Sequence, residues 1–201
     1  MLPAVLLDRD GVLNPNVLNP ASGCYEAPSK PEDFALFPGI VEWLAVLQQR
    51  GYLLILVSNQ PAYAKGTTTK ACLQAIHRKM HREFQRQDIA FAAYYYCYHH
   101  PNGVVPEYAK SCACRKPGPE FLHRAVREHQ ADLPRSWIVG DRDTDIDLAG
   151  DLGPRTILIR SDLPGAKQGR SRPDYTVEDL GAAVRTILQA DHATSTVREA
   201  L

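Results

Sequence analysis

The sequence lacks an excess of charge of either sign. In 201 residues, 23 Lys and Arg stand against 23 Asp and Glu, so the formal net charge is zero with histidines neutral. A general polyanion binder needs a basic surplus, and its absence argues against nucleic acid as the partner. A long apolar run is also missing. The longest, Ile89 to Tyr98, is about half of the roughly 20 residues that a membrane-crossing helix requires. A secretory leader is not expected, because Asp8, Arg9 and Asp10 interrupt the chain before an apolar segment can build up behind Met1. The expected setting is the cytoplasm, with no membrane partner. Cysteines are few and odd in number, at positions 24, 72, 97, 112 and 114, which speaks against a secreted disulfide framework. Three of them lie close together and point to a metal.

What is present is the composition of one folded domain, 44% hydrophobic and 23% charged. Short apolar runs alternate with amphipathic stretches, the pattern of βαβ units and a mostly parallel sheet. Strands are expected at Ala4 to Leu7, Leu53 to Ser58, Phe91 to Cys97, Trp137 to Val139, Thr156 to Ile159 and Tyr175 to Val177. Helices are expected from Pro38 to just before Gly51 and from Thr68 to Gln87, where Leu73, Ile76, Met80 and Phe84 share a stripe at helical spacing. Others follow Pro117, with Phe121, Leu122, Ala125 and Val126, follow Asp143, and span Glu178 to Ala190. This predicts an α/β class, a Rossmann-like parallel sheet with helices on both faces and no large cap domain. One domain covers residues 1–190, and the polar tail from Asp191 onward is expected to be weakly ordered. Asn14 to Asp33, with four prolines and a glycine, reads as a long loop suited to a lid or specificity element.

In an open parallel sheet, ligands bind beyond the carboxyl ends of the strands. Four such ends are strongly polar here: Asp8-Arg9-Asp10-Gly11, Ser58-Asn59-Gln60, Arg115-Lys116-Pro117 and Gly140-Asp141-Arg142-Asp143. In extended backbone, residues two apart point the same way, so Asp8 and Asp10 can face one substrate. Two close carboxylates repel unless a cation intervenes or one is protonated. With Asp141 as a third, the set suits Mg²⁺, which prefers oxygen ligands in near-octahedral geometry. Lys116 would offset the excess negative charge. A phosphate monoester uses all these parts: Asp8 as nucleophile, Asp10 as acid and then base, Ser58, Asn59, Lys65, Arg115 and Lys116 on phosphate oxygens. Taken alone, an Asp-x-Asp after a strand is equally well a turn with a helix cap; the four motifs in order favour the phosphatase.

The order Asp8-Arg9-Asp10-Gly11-Val12, Ser58-Asn59, Lys116, Gly140-Asp141 resembles the haloacid dehalogenase superfamily of phosphatases, over roughly Ala4 to Arg160. That resemblance implies an aspartyl-phosphate intermediate and Mg²⁺ bound by Asp8, Asp141 and the backbone carbonyl of Asp10.

Cys97-x-His99 and Cys112-x-Cys114 supply four ligands from two short pairs, as a closed tetrahedral zinc site requires. No position is left for a water, so Zn²⁺ would be structural; pinning this loop would place the adjacent Arg115 and Lys116. The run from Cys97-Tyr98-His99-His100-Pro101 to Cys112-Ala113-Cys114-Arg115-Lys116-Pro117 is similar to the zinc loop of the superfamily's heptose bisphosphate phosphatases. This implies a phosphorylated sugar as substrate. Histidinol-phosphate phosphatases share the ligands with a shorter loop and are the alternative; a zinc-stabilised module that holds a phosphorylated ligand without hydrolysing it is the non-enzymatic one. The second motif departs from the heptose pattern, with Pro61-Ala62-Tyr63-Ala64-Lys65-Gly66 where Ser-Gly and a later arginine are usual, and Gly140-Asp141-Arg142-Asp143-Thr144-Asp145 resembles the histidinol-phosphate pattern. The expected partner is a small phosphorylated molecule, and the expected state a monomer or weak homo-oligomer. His77 and His81 lack a third ligand, and Tyr94, Tyr95 and Tyr96 fit core and edge positions of a strand.

Overall fold

The computed structural model describes residues 1–20 and 22–199, with 194–199 as backbone alone. Six parallel strands form the main sheet: β1 (Ala4–Leu7), β4 (Leu53–Asn59), β5 (Phe91–Cys97), β6 (Trp137–Gly140), β7 (Arg155–Ile159) and β8 (Tyr175–Val177), in the order β5-β4-β1-β6-β7-β8. Two further short strands, β2 (Val17–Asn19) and β3 (Cys24–Glu26), pair antiparallel outside it. β1 is buried throughout and β4 nearly so, because helices cover both faces of the sheet.

The helices are α1 (Ile40–Gln49), α2 (Lys70–Arg86), α3 (Glu120–His129), α4 (Asp143–Ile146) and α5 (Leu180–Glu199). Alternation along β1 divides the core in two. Val5 and Leu7 face α1, α2 and α5, meeting Leu44, Met80, Phe84 and Ile187; Ala4 and Leu6 face α3, meeting Phe121, Leu122 and Ala125. The stripe Leu73, Ile76, Met80 and Phe84 is buried as the spacing predicts, and Thr69 caps that helix by accepting from the Cys72 N–H at 3.1 Å. Gly51, at φ 81°, takes the left-handed turn after α1. Val126 is the outlier of the α3 stripe, lying at its solvent edge with 37% exposure.

Two expectations change. The segment from Asn14 to Asp33 is not irregular throughout: it contains the β2–β3 hairpin, whose strands leave Leu18 and Tyr25 exposed. The last helix does not stop at Ala190 but continues to Glu199, and Asp191 within it accepts a hydrogen bond from Tyr52 and pairs with Arg155. Of the tail expected to be weakly ordered, residues 200 and 201 lie outside the described residues. No helix among the described residues is long and apolar enough to cross a membrane.

Strand order reverses at β1, with β4 on one side and β6 on the other. A crevice must open there, beyond the carboxyl ends of the three strands.

Candidate active site

The crevice collects the residues that the motifs single out. Asp8 leaves the end of β1 with its N–H bonded to the Val139 carbonyl of β6 at 3.0 Å. One tight turn follows, in which Leu13 and Asn14 donate to the Arg9 carbonyl and Gly11 donates to that of Asn14. Gly11 sits at φ +87°, and a Cβ there would come within 2.2 Å of Asp141 Oδ2, so glycine is required twice over. Asp141 follows the end of β6, and Asp145 projects back from the first turn of α4, accepting from the Arg142 N–H at 3.0 Å.

Carboxylate oxygens of Asp8, Asp141 and Asp145 lie within 4.8 Å of one another, all three buried. Lys116 reaches into this group. Its Nζ is 2.9 Å from Asp8 Oδ1 and 2.7 Å from Asp145 Oδ1, and it donates to the Val57 carbonyl at 2.7 Å. Burial opposes the ammonium charge, yet Asp145 and Asp8 outweigh it and hold the Lys116 pKa above its ordinary value. Asp141 has no ammonium so close, though its Oδ2 accepts from Asn16 Nδ2 at 3.4 Å. Its Oδ1 is buried without a hydrogen bond, with Arg142 Nε 3.7 Å away. Burial, followed by repulsion from Asp8 and Asp145, pushes the Asp141 pKa up to about 8; burial pushes Asp145 up to about 6 against the pull of Lys116. An acidic pocket that one ammonium cannot neutralise, with an orphaned carboxylate oxygen, fits a small divalent cation.

The side chain of Asp10 does not join that acidic group. Its Oδ1 accepts from Arg9 Nε and Asn14 Nδ2, each at 3.0 Å, and its Oδ2 accepts from Gln60 Nε2 at 2.6 Å. Asp145, not assigned from sequence, takes the third place. The signal was available in the Asp-x-Asp-x-Asp spacing from Asp141, where Asp143 turns away. Asp143 instead accepts from the N–H groups of Gly169, Arg170 and Ser171 and from Ser171 Oγ at 2.7 Å, anchoring the loop after β7.

Ser58 is buried and its hydroxyl accepts from Gln60 Nε2 at 2.9 Å. Asn59 is used differently from the phosphate contact its position suggested: Oδ1 accepts from the Lys116 N–H at 3.0 Å and Nδ2 donates to the Lys116 carbonyl at 3.2 Å. It fastens the Lys116 backbone to β4. Lys65 is exposed, and Arg115 donates to the His99 carbonyl at 3.2 Å. Burial, followed by the nearby charges of Arg142, Lys65 and Arg115, lowers the pKa of Lys167. Lys167 stands in the loop that Asp143 anchors, where Gln168 also donates to the Asp141 carbonyl at 2.6 Å. Arg142 lies within the Gly140-Asp141-Arg142-Asp143 motif, which by itself assigns it no role, and Lys167 carries no motif that sequence reading could have used.

Cys97, His99, Cys112 and Cys114 converge, their ligand atoms all within 4.8 Å of one another. Cys114 Sγ is 3.3 Å from the sulfurs of Cys97 and Cys112 and 3.4 Å from His99 Nδ1. Donors about 2.3 Å from a tetrahedral ion stand slightly further apart than this, so a zinc ion fits with small adjustments. Without a cation, burial and the neighbouring thiol of Cys114 raise the Cys97 pKa. The Cys97 carbonyl accepts from the Gln60 N–H at 2.7 Å, tying the cluster to the end of β4. Among the described residues His77 and His81 are not part of any such group: their Nδ1 atoms meet the Tyr96 and Tyr94 hydroxyls at 3.0 and 3.1 Å between α2 and β5.

A parallel sheet with β1 ending in Asp-x-Asp, a lysine bridging two carboxylates and a third acidic strand end defines the phosphohydrolases of the haloacid dehalogenase class. The comparisons agree. A family described as "HAD-hyrolase-like" matches residues 113–183. The D-glycero-D-manno-heptose-1,7-bisphosphate 7-phosphatase of Thermosynechococcus vestitus is 37% identical over 194 residues, 92% of this chain and 95% of that protein. The D-glycero-beta-D-manno-heptose-1,7-bisphosphate 7-phosphatase of Vibrio cholerae is 34% identical, covering 89% and 92%. The crystal structure of the D,D-heptose 1,7-bisphosphate phosphatase of B. bronchiseptica, complexed with magnesium and phosphate, superposes with a TM-score of 0.73 at 29% identity, covering 94% of this chain and 99% of that one. The chain belongs to this family of haloacid dehalogenase-like phosphatases and is a phosphoric monoester hydrolase.

Proposed function

We propose that the chain is a Mg²⁺-dependent phosphatase that converts D-glycero-D-manno-heptose 1,7-bisphosphate to heptose 1-phosphate. The observation that carries the phosphatase is the buried group of Asp8, Asp141 and Asp145 with Lys116 across Asp8 and Asp145, and the mutually felt charges of Lys65, Arg115, Arg142 and Lys167 suit a second phosphate. The relatives named for this substrate support the choice.

On this reading Asp8 is the nucleophile. Its carboxylate attacks phosphorus and the alkoxide leaves with the proton of Asp10; Asp10, now ionised, takes a proton from the water that attacks the aspartyl-phosphate. Asp8, Asp141 and the backbone carbonyl of Asp10 would hold Mg²⁺, with Asp145 beside them. Charge neutralisation by such an ion, when bound, would let the Asp8 carboxylate approach an anionic ester. Ser58 and Lys116 contact phosphate oxygens, while Asn59 keeps Lys116 in place. Zn²⁺ on Cys97, His99, Cys112 and Cys114 is structural, since four protein ligands close the site. A cytoplasmic setting and a monomeric or weakly associating state complete the proposal.

Histidinol phosphate is the second reading, favoured by the run Gly140-Asp141-Arg142-Asp143-Thr144-Asp145. A panel of heptose bisphosphate, heptose 1-phosphate and histidinol phosphate, with Mg²⁺, separates the two. The expected result is kcat/KM at least about tenfold higher for the bisphosphate, about 1.4 kcal/mol of transition-state preference. A preference for histidinol phosphate overturns the sugar assignment.

A further inference from the structure

Two buried residues of the crevice have no part in the chemistry described above, yet both touch its acid. Gln60 Nε2 donates to Asp10 Oδ2 at 2.6 Å and to Ser58 Oγ at 2.9 Å, while its Oε1 accepts from Arg9 Nη2 at 2.9 Å. Arg9 donates through Nε to Asp10 Oδ1 at 3.0 Å and is 1% exposed. The amide of Gln60 has only one satisfactory orientation. Reversed, its NH₂ would face the Arg9 guanidinium, donor against donor, because arginine has no acceptor. Arg9 therefore directs the Gln60 donor at Asp10.

We infer that Gln60, oriented by Arg9, is the positioning residue that fixes the Asp10 carboxyl group for proton transfer to the leaving oxygen. The inference rests on the role of Asp10 proposed above. In the step concerned, the P–O bond to the leaving group breaks with its electron pair on that oxygen, a new bond forms from Asp8 to phosphorus, and the Asp10 proton passes to the leaving alkoxide. A carboxyl held at one oxygen only could swing about its Cβ–Cγ bond. With Arg9 and Asn14 on Oδ1 and Gln60 on Oδ2 it is held at both. The Gln60 N–H bond to the Cys97 carbonyl at 2.7 Å extends the same support to the cysteine cluster. A misplacement of about 1 Å in such a group can cost on the order of 10²-fold in rate.

The test uses leaving-group dependence, which a general loss of structure does not change. Phosphate monoesters ranging from aryl to alkyl leaving groups are compared by kcat/KM, which reports the steps through departure of the leaving group. Gln60→Met, close in size and without hydrogen-bonding groups, should lower kcat/KM for alkyl esters by about 10²-fold and for p-nitrophenyl phosphate by less than about threefold, since an aryl oxide leaves without a proton. Gln60→Asn, which keeps an amide but withdraws it from both Asp10 and Arg9 by a methylene, should give the same one-sided loss and serves if the methionine variant does not fold. Combining either with Asp10→Asn should add nothing for alkyl esters. Equal losses for aryl and alkyl esters, or no loss, overturn the inference while Asp10→Asn remains selective for alkyl esters. If Asp10→Asn is itself unselective, the role of Asp10 fails, and the inference falls with it for that separate reason.

Discussion

Asp141 carries the plainest chemical demand in the crevice, a buried carboxylate whose proton is held up to about pH 8 by burial and by the repulsion of Asp8 and Asp145. A carboxyl raised in this way favours the fold when protonated. That contribution is fully present below the unfolded-chain value near 4 and is lost as pH rises through about 8. Magnesium should reverse the loss, because it needs the ionised form. The midpoint of thermal unfolding is therefore expected to rise on adding Mg²⁺ by more at about pH 8 than at about pH 5, with proton release on binding seen by calorimetry. An equal shift at both would contradict the assignment of Asp141 to the cation. At this scale much of the site was legible, since Asp8, Asp10, Ser58, Lys116 and Asp141 end consecutive strands or follow them. Asp145 had a signal in its spacing from Asp141; Arg9 and Gln60 had none, for a physical reason. A charged or amide side chain next to a motif reads as a solvated neighbour, and only packing shows Arg9 buried between Asp10 and Gln60.

Among the elements, the segment from β5 to α3 depends most on something other than apolar burial. It has one short 3₁₀ turn at Pro106–Tyr108, no buried hydrophobic residue between Cys97 and Phe121, and four side chains in contact that could hold a metal ion. Zinc at this site would contribute about 10 kcal/mol or more to the folded loop at neutral pH. Metal analysis should find about one equivalent of zinc, and Cys112→Ser or a strong chelator should remove it with a lower unfolding midpoint and reduced turnover, because Asn59 and the Gln60 to Cys97 bond couple the loop to Lys116 and β4. A metal-free protein of unchanged stability would contradict this. The six strands of the main sheet and the helices α1 to α3 follow from periodicity and from turn residues such as Gly51, with ends shifted by a residue or two. The hairpin β2–β3 does not, because strands of three residues with exposed side chains leave no alternation to read. Extension of α5 to Glu199 likewise has no apolar stripe to announce it, and its visible anchor, Asp191 on Tyr52 and Arg155, joins residues far apart in sequence.

For the molecule as a whole, zero net charge conceals a strong local separation. Acidic groups gather at Asp8, Asp141 and Asp145 where strand order reverses, while the charges of Lys65, Arg115 and Arg142 act on Lys167. A small multiply charged ester, together with a divalent cation, complements this distribution; a long polyanion does not. Everything proposed for the reaction passes through Asp8, which the fold holds by the hydrogen bond of its N–H to β6 and by contact with Lys116. The decisive measurement is the initial rate of phosphate release from heptose 1,7-bisphosphate, with and without Mg²⁺, for the native protein and for Asp8→Asn with its fold verified by circular dichroism. Magnesium-dependent release by the native chain, and a loss of at least about 10³-fold in Asp8→Asn, is the predicted result. Release undiminished in Asp8→Asn would contradict the account.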